Sequence, residues 1–267
     1  SVSRERPHEH VLPDYTAPWD PEADAVLLAT HTSRDSAAST AESVDDYILR
    51  RTKEFNILTR EKPHKLSTWL EFAEFQDEAL KKRPLIPPKE VMEKKVSIYK
   101  HGLTFHPGDE TLELLLLQQY EQLEDPEKAS LRWQRALSRS KGSAFLWYHY
   151  IQFVKGQYKS FSLGSIRLVY AQAIQGLGLR RSQIAHGAIN SGPDADTAAV
   201  YAQMYFLLEL CQMEMQTGHV EMAIGRLQAA IEYACFVPRE LDGLSEGRKQ
   251  NAFNRFWDKG LRCGEEG

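Results

Sequence analysis

Residues 133–153 read WQRALSRSKGSAFLWYHYIQF, and this stretch contains the two patterns that decide the fold. Its first part, from Trp133, places a large apolar residue three positions before the small residue Ala136. Its last part, from Trp147, places aromatic residues at every third position. Gly142 lies between the two parts, where a helix is expected to end in a turn. The stretch therefore predicts two helices joined by a short turn.

Both patterns recur along the chain. The three-residue spacing appears four times: Trp69, Phe72 and Phe75; Leu114, Leu117 and Tyr120; Trp147, Tyr150 and Phe153; Tyr205, Leu208 and Cys211. The large-to-small pattern also appears four times: Tyr99 with Gly102, Trp133 with Ala136, Tyr170 with Ala173, and Leu227 with Ala230. The large residues lie 34, 37 and 57 positions apart, and the last gap is long because residues 178–196 are inserted.

Paired helices with a period in the mid-thirties predict an all-α fold, an α-solenoid of about four hairpins. One hairpin cannot bury its apolar stripe alone, so we expect the large residue of one hairpin to pack against the small residue of its neighbour. Asp109 and Ser143 are expected as helix N-caps. The segment Gly176-Leu177-Gly178 is expected to be a turn at a helix end.

The chain is predicted to have three parts. Residues 1–46 are rich in proline and serine and are expected to form an extended or irregular arm. Residues 47–238 form the repeat solenoid, and residues 239–267 form a capping helix and tail. In that tail we expect the aromatic side chains to pack near the last hairpin: Phe253, Phe256 and Trp257 against Leu227, Ile231 and Phe236.

The composition excludes several classes of protein. The 267 residues carry a formal net charge of −4, so bulk charge does not favour nucleic acid, and any RNA contact is expected to be local or through a partner. Cys211, Cys235 and Cys263 fit neither a zinc site nor a closed disulfide set, which indicates a reducing, intracellular compartment. The longest apolar run, residues 114–117, is too short to span a membrane. The chain begins with serine, and we expect it to be a fragment of a longer protein.

No catalytic residue is predicted. The sequence has no phosphate-binding glycine loop, and no pair of carboxylates is isolated in an apolar setting for acid–base work. His8 and His10 could hold a metal ion only with a third ligand, which the arm does not offer. We therefore expect no cofactor, no metal and no small-molecule substrate.

Six side chains are candidates for contact with a partner: Lys81, Lys82, Arg83, Arg180, Arg181 and Trp257. The cations could bind an acidic partner or RNA. Alternatively, they could be solvated side chains that interact favourably with the helix dipole at a helix C-terminus. Trp257 could bind a partner or dock on the solenoid. The repeat aromatics Trp69, Trp147, Tyr150 and Phe153 could form a base-stacking or peptide-binding platform, but their spacing fits packing between helices better.

The paired patterns resemble half-a-TPR (HAT) repeats, which are typical of RNA-processing proteins. Two segments resemble the nuclear RNAi-defective-two (NRDE-two) family more specifically: Glu54-Phe55-Asn56 through Trp69-Leu70-x-Phe72-x2-Phe75, and Phe253-x2-Phe256-Trp257-Asp258-x-Gly260 with Gly264-Glu265-x-Gly267. The resemblance runs from about residue 47 to 267. It departs from the family at Lys259, where a small residue is usual, and at Leu261, where proline is usual.

The resemblance implies a non-catalytic nuclear adaptor that binds protein partners in RNA surveillance, splicing and nuclear small-RNA silencing. The partners that it implies are splicing factors and the helicase of the nuclear exosome. A partner helix or extended peptide is expected to lie along the concave groove of the solenoid. The family's helicase-binding segment precedes the repeats, so here it could correspond only to residues 1–46. A solenoid that binds RNA directly is the alternative, and a steep loss of binding with salt would distinguish it.

Overall fold

The computed structural model describes residues 43–85, 87–159, 161–187, 194–241 and 243–259, with the side chain of residue 246 excepted. Within these ranges the chain forms α-helices, one short 3₁₀ turn and connecting loops, and no strand. The all-α helical-repeat class predicted from the sequence is therefore confirmed. The expectations for residues 1–42 and 260–267, including His8, His10 and Cys263, lie outside the described residues.

The chain divides into two compact units, at residues 1–125 and 126–267. The described part of the first unit has four helices: α1 (Val44–Glu61), α2 (Leu66–Lys82), α3 (Pro88–Phe105) and α4 (Glu110–Leu123). Each helix packs on the next one along the chain. Phe55 of α1 stacks on Phe72 of α2 with ring centroids 5.2 Å apart, and both rings are buried. Helix α1 thus adds a further layer to the hairpin that α2 and α3 form.

The second unit contains the longer series. Its elements are α5 (Pro126–Arg139), α6 (Ala144–Gly156), α7 (Leu163–Ala185), α8 (Ala195–Gln216), α9 (Val220–Cys235), a 3₁₀ turn (Arg239–Leu241) and α10 (Glu246–Trp257). Consecutive helices from α5 to α9 pack on one another. The large residues of the repeat pattern, Trp133 and Tyr170, are fully buried with the small residues Ala136 and Ala173. Burial of these pairs supports the register read from the sequence.

Local capping explains where several helices begin. The Asp109 carboxylate accepts a hydrogen bond from the Leu112 amide at 2.8 Å, and the Ser143 hydroxyl accepts one from the Leu146 amide at 3.1 Å. Both residues are therefore N-caps, as the sequence indicated. Gly218, in the turn between α8 and α9, has φ of +85°, a conformation that favours glycine.

Two tryptophans occupy the same place in the two units. Trp69 is the fourth residue of α2 and Trp147 is the fourth residue of α6. Each indole Nε1 donates a hydrogen bond at 2.8 Å to a carbonyl six residues earlier, that of Pro63 or Lys141. A buried indole needs such a partner for its N–H group. Each tryptophan thereby fixes the preceding loop against its own helix.

The expectation that Gly176-Leu177-Gly178 is a turn is wrong. Helix α7 continues through these residues to Ala185, and Leu177 is buried. A Cβ atom on Gly176 would lie only 2.4 Å from the carbonyl oxygen of Lys141. Gly176 is therefore needed for close packing and does not end the helix. Much of the insertion at residues 178–196 lengthens α7 and α8, which have 23 and 22 residues.

Candidate functional site

The basic cluster at the end of α2 is largely engaged within the first unit. The Arg83 guanidinium forms an ion pair with the Asp45 carboxylate in the first turn of α1. The Lys82 ammonium lies 3.6 Å from the centroid of the Tyr47 ring, also on α1. Lys81 is exposed to solvent. Two of the three cations thus hold α1 against α2, and Lys81 is the one that faces outward.

Arg180 and Arg181 hold loops and helices of the second unit together. Arg180 donates a hydrogen bond to the carbonyl of Gly142 at 3.0 Å. Arg181 pairs with Asp196 at 2.9 Å and donates to the amide oxygen of Gln203 at 3.3 Å. These contacts join α7 to the loop before α6 and to α8. Both arginines belong to a different unit from the 81–83 cluster.

The tail aromatics contact α9 at its C-terminal end, which includes only part of the region expected. The Phe253 ring meets the Tyr233 ring edge-on, with centroids 5.2 Å apart. Trp257 stacks on Phe253 at 5.8 Å, and 37% of Trp257 remains exposed. Helix α10 therefore lies at the C-terminal end of α9, and Trp257 is open on one side.

The apolar residues that the tail was expected to cover stay open to solvent. Ile231 is 51% exposed and Phe236 is 59% exposed. Leu227 is half-buried. The tail thus lies near Phe236, which lines one cavity with Phe253 and Phe256, but it leaves Ile231 exposed. The capping role of residues 239–267 stays a prediction.

The repeat aromatics do not form an open platform. Trp69, Trp147 and Tyr150 are buried in the cores of their units, and Phe153 is half-buried. A buried ring cannot receive a nucleotide base without local unfolding. Their placement agrees with packing between helices.

An exposed apolar surface on α6 and α8 was not recognised in the sequence. We call it the aromatic face, and it consists of Phe145, Tyr148, Tyr201, Met204, Tyr205 and Leu208, all of which are exposed. The four residues of α8 follow the i, i+3, i+4, i+7 spacing of one helix side. The rings of Tyr148 and Tyr205 lie 6.3 Å apart, so the surface continues from α6 to α8. Contiguous exposed apolar patches of this kind are typical of protein-interaction sites.

The three-residue spacing in α8 predicts the wrong side of that helix as its packed side. It placed Tyr205 and Leu208 on the packed stripe, whereas the structure buries Phe206 and Leu210 and leaves the first pair exposed. Cys211 is buried as expected. Apolar residues surround α8, so a three-residue spacing can be found on more than one side. The sequence of α8 is apolar on all sides, so α8 leaves apolar side chains exposed if it lies at the protein surface. This pattern was the signal for the aromatic face.

Lys155 and Glu209, which lie beside the aromatic face, form an ion pair with each other. The Lys155 ammonium lies 3.0 Å from the Glu209 carboxylate. The His149 ring contacts the Phe145 ring at 4.9 Å, and burial lowers the pKa of His149. The ring is therefore neutral at neutral pH. A surface with these properties suits an apolar protein partner better than a phosphate backbone.

A groove of about 1000 Å³ lies on another side of α6, between α5 and α7. Exposed leucines stand on its two walls, Leu131 on α5 and Leu168 on α7. Among the described residues that line it, Glu127 and Lys141 carry the charges, and the rest are apolar or uncharged polar side chains. The groove is thus a second, largely uncharged surface in the second unit.

A buried carboxylate fixes α8 between its neighbours. Glu214 is fully buried and pairs with Arg167 of α7 at 2.9 Å and with Arg226 of α9 at 3.0 Å. Burial alone would raise the pKa of Glu214, but the hydrogen bonds from Arg226 and Arg167 outweigh it and leave the pKa below its ordinary value. Glu214 is ionised at neutral pH and holds three helices in register. The aromatic face is therefore displayed on a fixed scaffold.

Within the described ranges, no three histidine, cysteine, aspartate or glutamate side chains come together as a metal site would require. Among the same residues, no helix combines the length and apolar character of a membrane span.

A family model described as "NRDE-2, necessary for RNA interference" matches residues 50–267. Three curated proteins named nuclear exosome regulator NRDE2 are similar to the chain. Those of Homo sapiens and Mus musculus are 28% and 27% identical over 230 residues, and that of Dictyostelium discoideum is 25% identical over 225 residues. Each match covers 81% of this chain. The chain spans only 19%, 19% and 17% of the respective relatives.

Proposed function

The chain belongs to the NRDE-2 family, and from that membership we propose that it is a non-catalytic protein-binding scaffold of a nuclear regulator of the exosome. The names of the human and mouse relatives support the nuclear setting and the link to the exosome. The description of the family supports a part in small-RNA silencing. We extend the proposal to splicing, the third process with which the resemblance connects the family.

The observation that carries the proposal is the aromatic face. Aromatic residues and methionine are enriched in the cores of protein interfaces. Here they occur together on α6 and α8, while the neighbouring charges are neutralised by pairing. The partner proposed for this face is a protein component of the exosome machinery.

A matched pair of variants tests the proposal. Leu208 in the aromatic face is 55% exposed and Ile57 on α1 is 53% exposed, so an aspartate at either position should not disturb the core. The tagged chain would be used to capture proteins from nuclear extract, with mass spectrometry as the readout. Leu208→Asp is expected to lose exosome components and Ile57→Asp to retain them. Equal recovery with both variants would exclude the aromatic face as the binding surface.

Direct RNA binding is the second candidate, and one observation favours it. Arg60, Lys62 and Lys65 surround the loop between α1 and α2, are exposed, and form no ion pair with any other described residue. The net charge of −4 argues against a large RNA interface. This loop is in the first unit, whereas the aromatic face is in the second, so variants can separate the two functions.

A further inference from the structure

The loops before α2 and α6 are held by equivalent contacts in the two units. In the first unit, Gly102 of α3 packs against Trp69, and a Cβ atom on this glycine would lie 3.3 Å from the indole ring. In the second unit, Gly176 of α7 packs against Trp147, and the corresponding distance is also 3.3 Å. Each tryptophan donates a hydrogen bond to the loop before its own helix. The two glycines therefore mark equivalent positions on α3 and α7.

The residue four positions after each glycine contacts a carbonyl group of the same loop. In the second unit this residue is Arg180, which donates to the carbonyl of Gly142 at 3.0 Å. In the first unit it is His106, whose Nε2 atom lies 3.2 Å from the carbonyl oxygen of Pro63. A carbonyl oxygen can only accept, so Nε2 of His106 carries the hydrogen atom. A titratable imidazole thus stands where the second unit has a permanent cation.

The segment that His106 contacts is basic, and we call residues 60–65 the basic segment. Its cations Arg60, Lys62 and Lys65 are exposed, and none of them forms an ion pair with another described residue. His64 is also exposed, and its ring lies edge-on to the His106 ring with the centroids 6.4 Å apart. Protonation of both histidines would therefore raise the number of positive charges at this site from three to five.

No carboxylate of a described residue pairs with either of these histidines. Glu61 is exposed at the end of α1, and Asp109 and Glu110 lie at the start of α4. The Asp109 carboxylate accepts its hydrogen bond from the Leu112 amide instead. The other titratable neighbour on α3 is His101, and burial lowers its pKa. Protonation of the two outer histidines therefore adds positive charge that no neighbouring ion pair cancels.

We propose that the basic segment binds the phosphate groups of single-stranded RNA, and that His64 and His106 strengthen this binding when they take up protons. The inference rests on the second of the two proposed functions, direct RNA binding. The exposed ring of His64 favours RNA over an acidic protein, because unpaired bases stack on histidine rings, whereas carboxylates require only cations. The family description, which refers to RNA interference, supports the same choice.

A protonated His106 fits the fold that the structure shows. Its Nε2–H group already donates to Pro63, so the added proton goes to Nδ1, and the existing hydrogen bond becomes charge-assisted. The second unit provides a precedent, since Arg180 is always charged and makes the equivalent contact. The basic segment can therefore keep its shape while its charge increases.

Counterion release gives the size of the expected effect. Each phosphate contact on a single strand changes the slope of log K against log salt by about −0.7, so one added contact strengthens binding about fivefold at about 0.1 M salt. Histidine changes its charge between about pH 5 and pH 8. The parent chain should therefore bind a fluorescent oligouridine about fivefold or more tightly at about pH 6 than at about pH 7.5. Fluorescence anisotropy across a salt series measures the affinity and the slope.

Variants of the histidines identify the source of the pH dependence. The double variant His64→Gln, His106→Gln should bind like the parent chain at the higher pH and should not gain affinity at the lower pH. His106→Arg copies Arg180 and should bind about fivefold more tightly than the parent at the higher pH, with a smaller pH dependence. His186→Gln is the control, because His186 is an exposed histidine of the second unit. Thermal melting at both pH values would show that each variant is folded.

The outcomes separate this inference from the function on which it rests. An unchanged pH dependence in the double variant would overturn the role of the two histidines. Direct RNA binding would still stand in that case if the triple variant of Arg60, Lys62 and Lys65 lost its affinity. Absence of binding at both pH values would overturn both proposals. Polyglutamate that displaces the labelled RNA as well as unlabelled oligouridine does would also overturn the inference, because the site would then recognise negative charge alone.

Discussion

Gly176 of α7 lies directly against the backbone carbonyl of Lys141, in the loop before α6. A Cβ atom on Gly176 would be 2.4 Å from that oxygen and 3.3 Å from Nε1 of Trp147. The same oxygen accepts the hydrogen bond of the Trp147 indole. One glycine, one carbonyl and one tryptophan thus fix the distance between α6, which carries part of the aromatic face, and α7, which forms one wall of the groove.

The first prediction concerns this contact. Gly176→Ala should lower the free energy of unfolding by about 1–3 kcal/mol, because the added methyl group meets backbone atoms and forces the helices apart. Gly225→Ala is the matched control, since Gly225 also lies inside a helix but has open space around it. That variant should stabilise the protein by up to about 1 kcal/mol through helix propensity. Urea unfolding of both variants measures the difference, and a neutral Gly176→Ala would contradict the close contact.

The buried Glu214 gives the second prediction. Glu214→Ala leaves Arg167 and Arg226 without their shared carboxylate inside the second unit. Removing one member of a buried ion pair costs roughly 3–5 kcal/mol, and partial exposure of the two arginines favours the lower end of that range. Asp196→Ala is the control, because its ion pair with Arg181 is exposed and such pairs contribute about 0–1 kcal/mol. Equal losses in the two variants would show that Glu214 is not a structural centre.

The third prediction is a pH dependence in the first unit. His101 packs against the rings of Trp69 and Phe105 at 5.2 and 5.3 Å, and burial lowers its pKa below the ordinary value of 6.5. The unfolded chain therefore binds the proton more readily than the folded chain. Stability is complete above pH 6.5 and falls as the pH decreases toward the lowered pKa. Thermal melts between pH 7.5 and 5 should show a smaller decrease in Tm for His101→Gln than for the parent chain, and identical slopes would contradict this role.

The repeat fold could be predicted because its signals are local and redundant. The large-to-small pairs, such as Trp133 with Ala136, set the register, and the caps at Asp109 and Ser143 set the helix starts. The pairs in α5 and α7 lie where two helices approach closely, whereas Leu227 and Ala230 of α9 are only half-buried. The same redundancy makes the family resemblance visible in the sequence itself.

The interaction surfaces could not be predicted in the same way. Helix α8 has apolar residues on all sides, so the spacing of Tyr205 and Leu208 gave no information about which side faces solvent. Glycine is common at helix ends, so the sequence suggests that Gly176 ends α7. Only the position of Lys141 shows that Gly176 is a packing contact. Similarly, the basic residues Lys82 and Arg83 could be separated from free surface cations only after Tyr47 and Asp45 were placed beside them. Each of these assignments depends on a neighbour that is remote in sequence.

The fourth prediction tests the register of the repeats. Ala173 is fully buried in α7, and Ala171 of the same helix is exposed. Ala173→Arg should abolish cooperative folding of the second unit, because overpacking costs about 1–3 kcal/mol and a buried unpaired charge adds more. Ala171→Arg should change stability by less than about 0.5 kcal/mol. Circular dichroism melts of the two variants provide the comparison, and a cooperative melt of Ala173→Arg near the parent temperature would refute the assigned register.

The last prediction distinguishes the scaffold from an RNA-binding protein. The three exposed cations Arg60, Lys62 and Lys65 could neutralise at most three phosphates, and the chain as a whole is acidic. For a single strand, three such contacts give a slope of log K against log salt of about −2. Binding of single-stranded RNA should therefore be weak at physiological salt and should disappear in the triple variant Arg60→Gln, Lys62→Gln, Lys65→Gln. Filter binding across a salt series measures both properties. Tight, saturable binding that survives the triple variant would favour an RNA-binding solenoid, because the contacts would then have to come from a surface other than this loop.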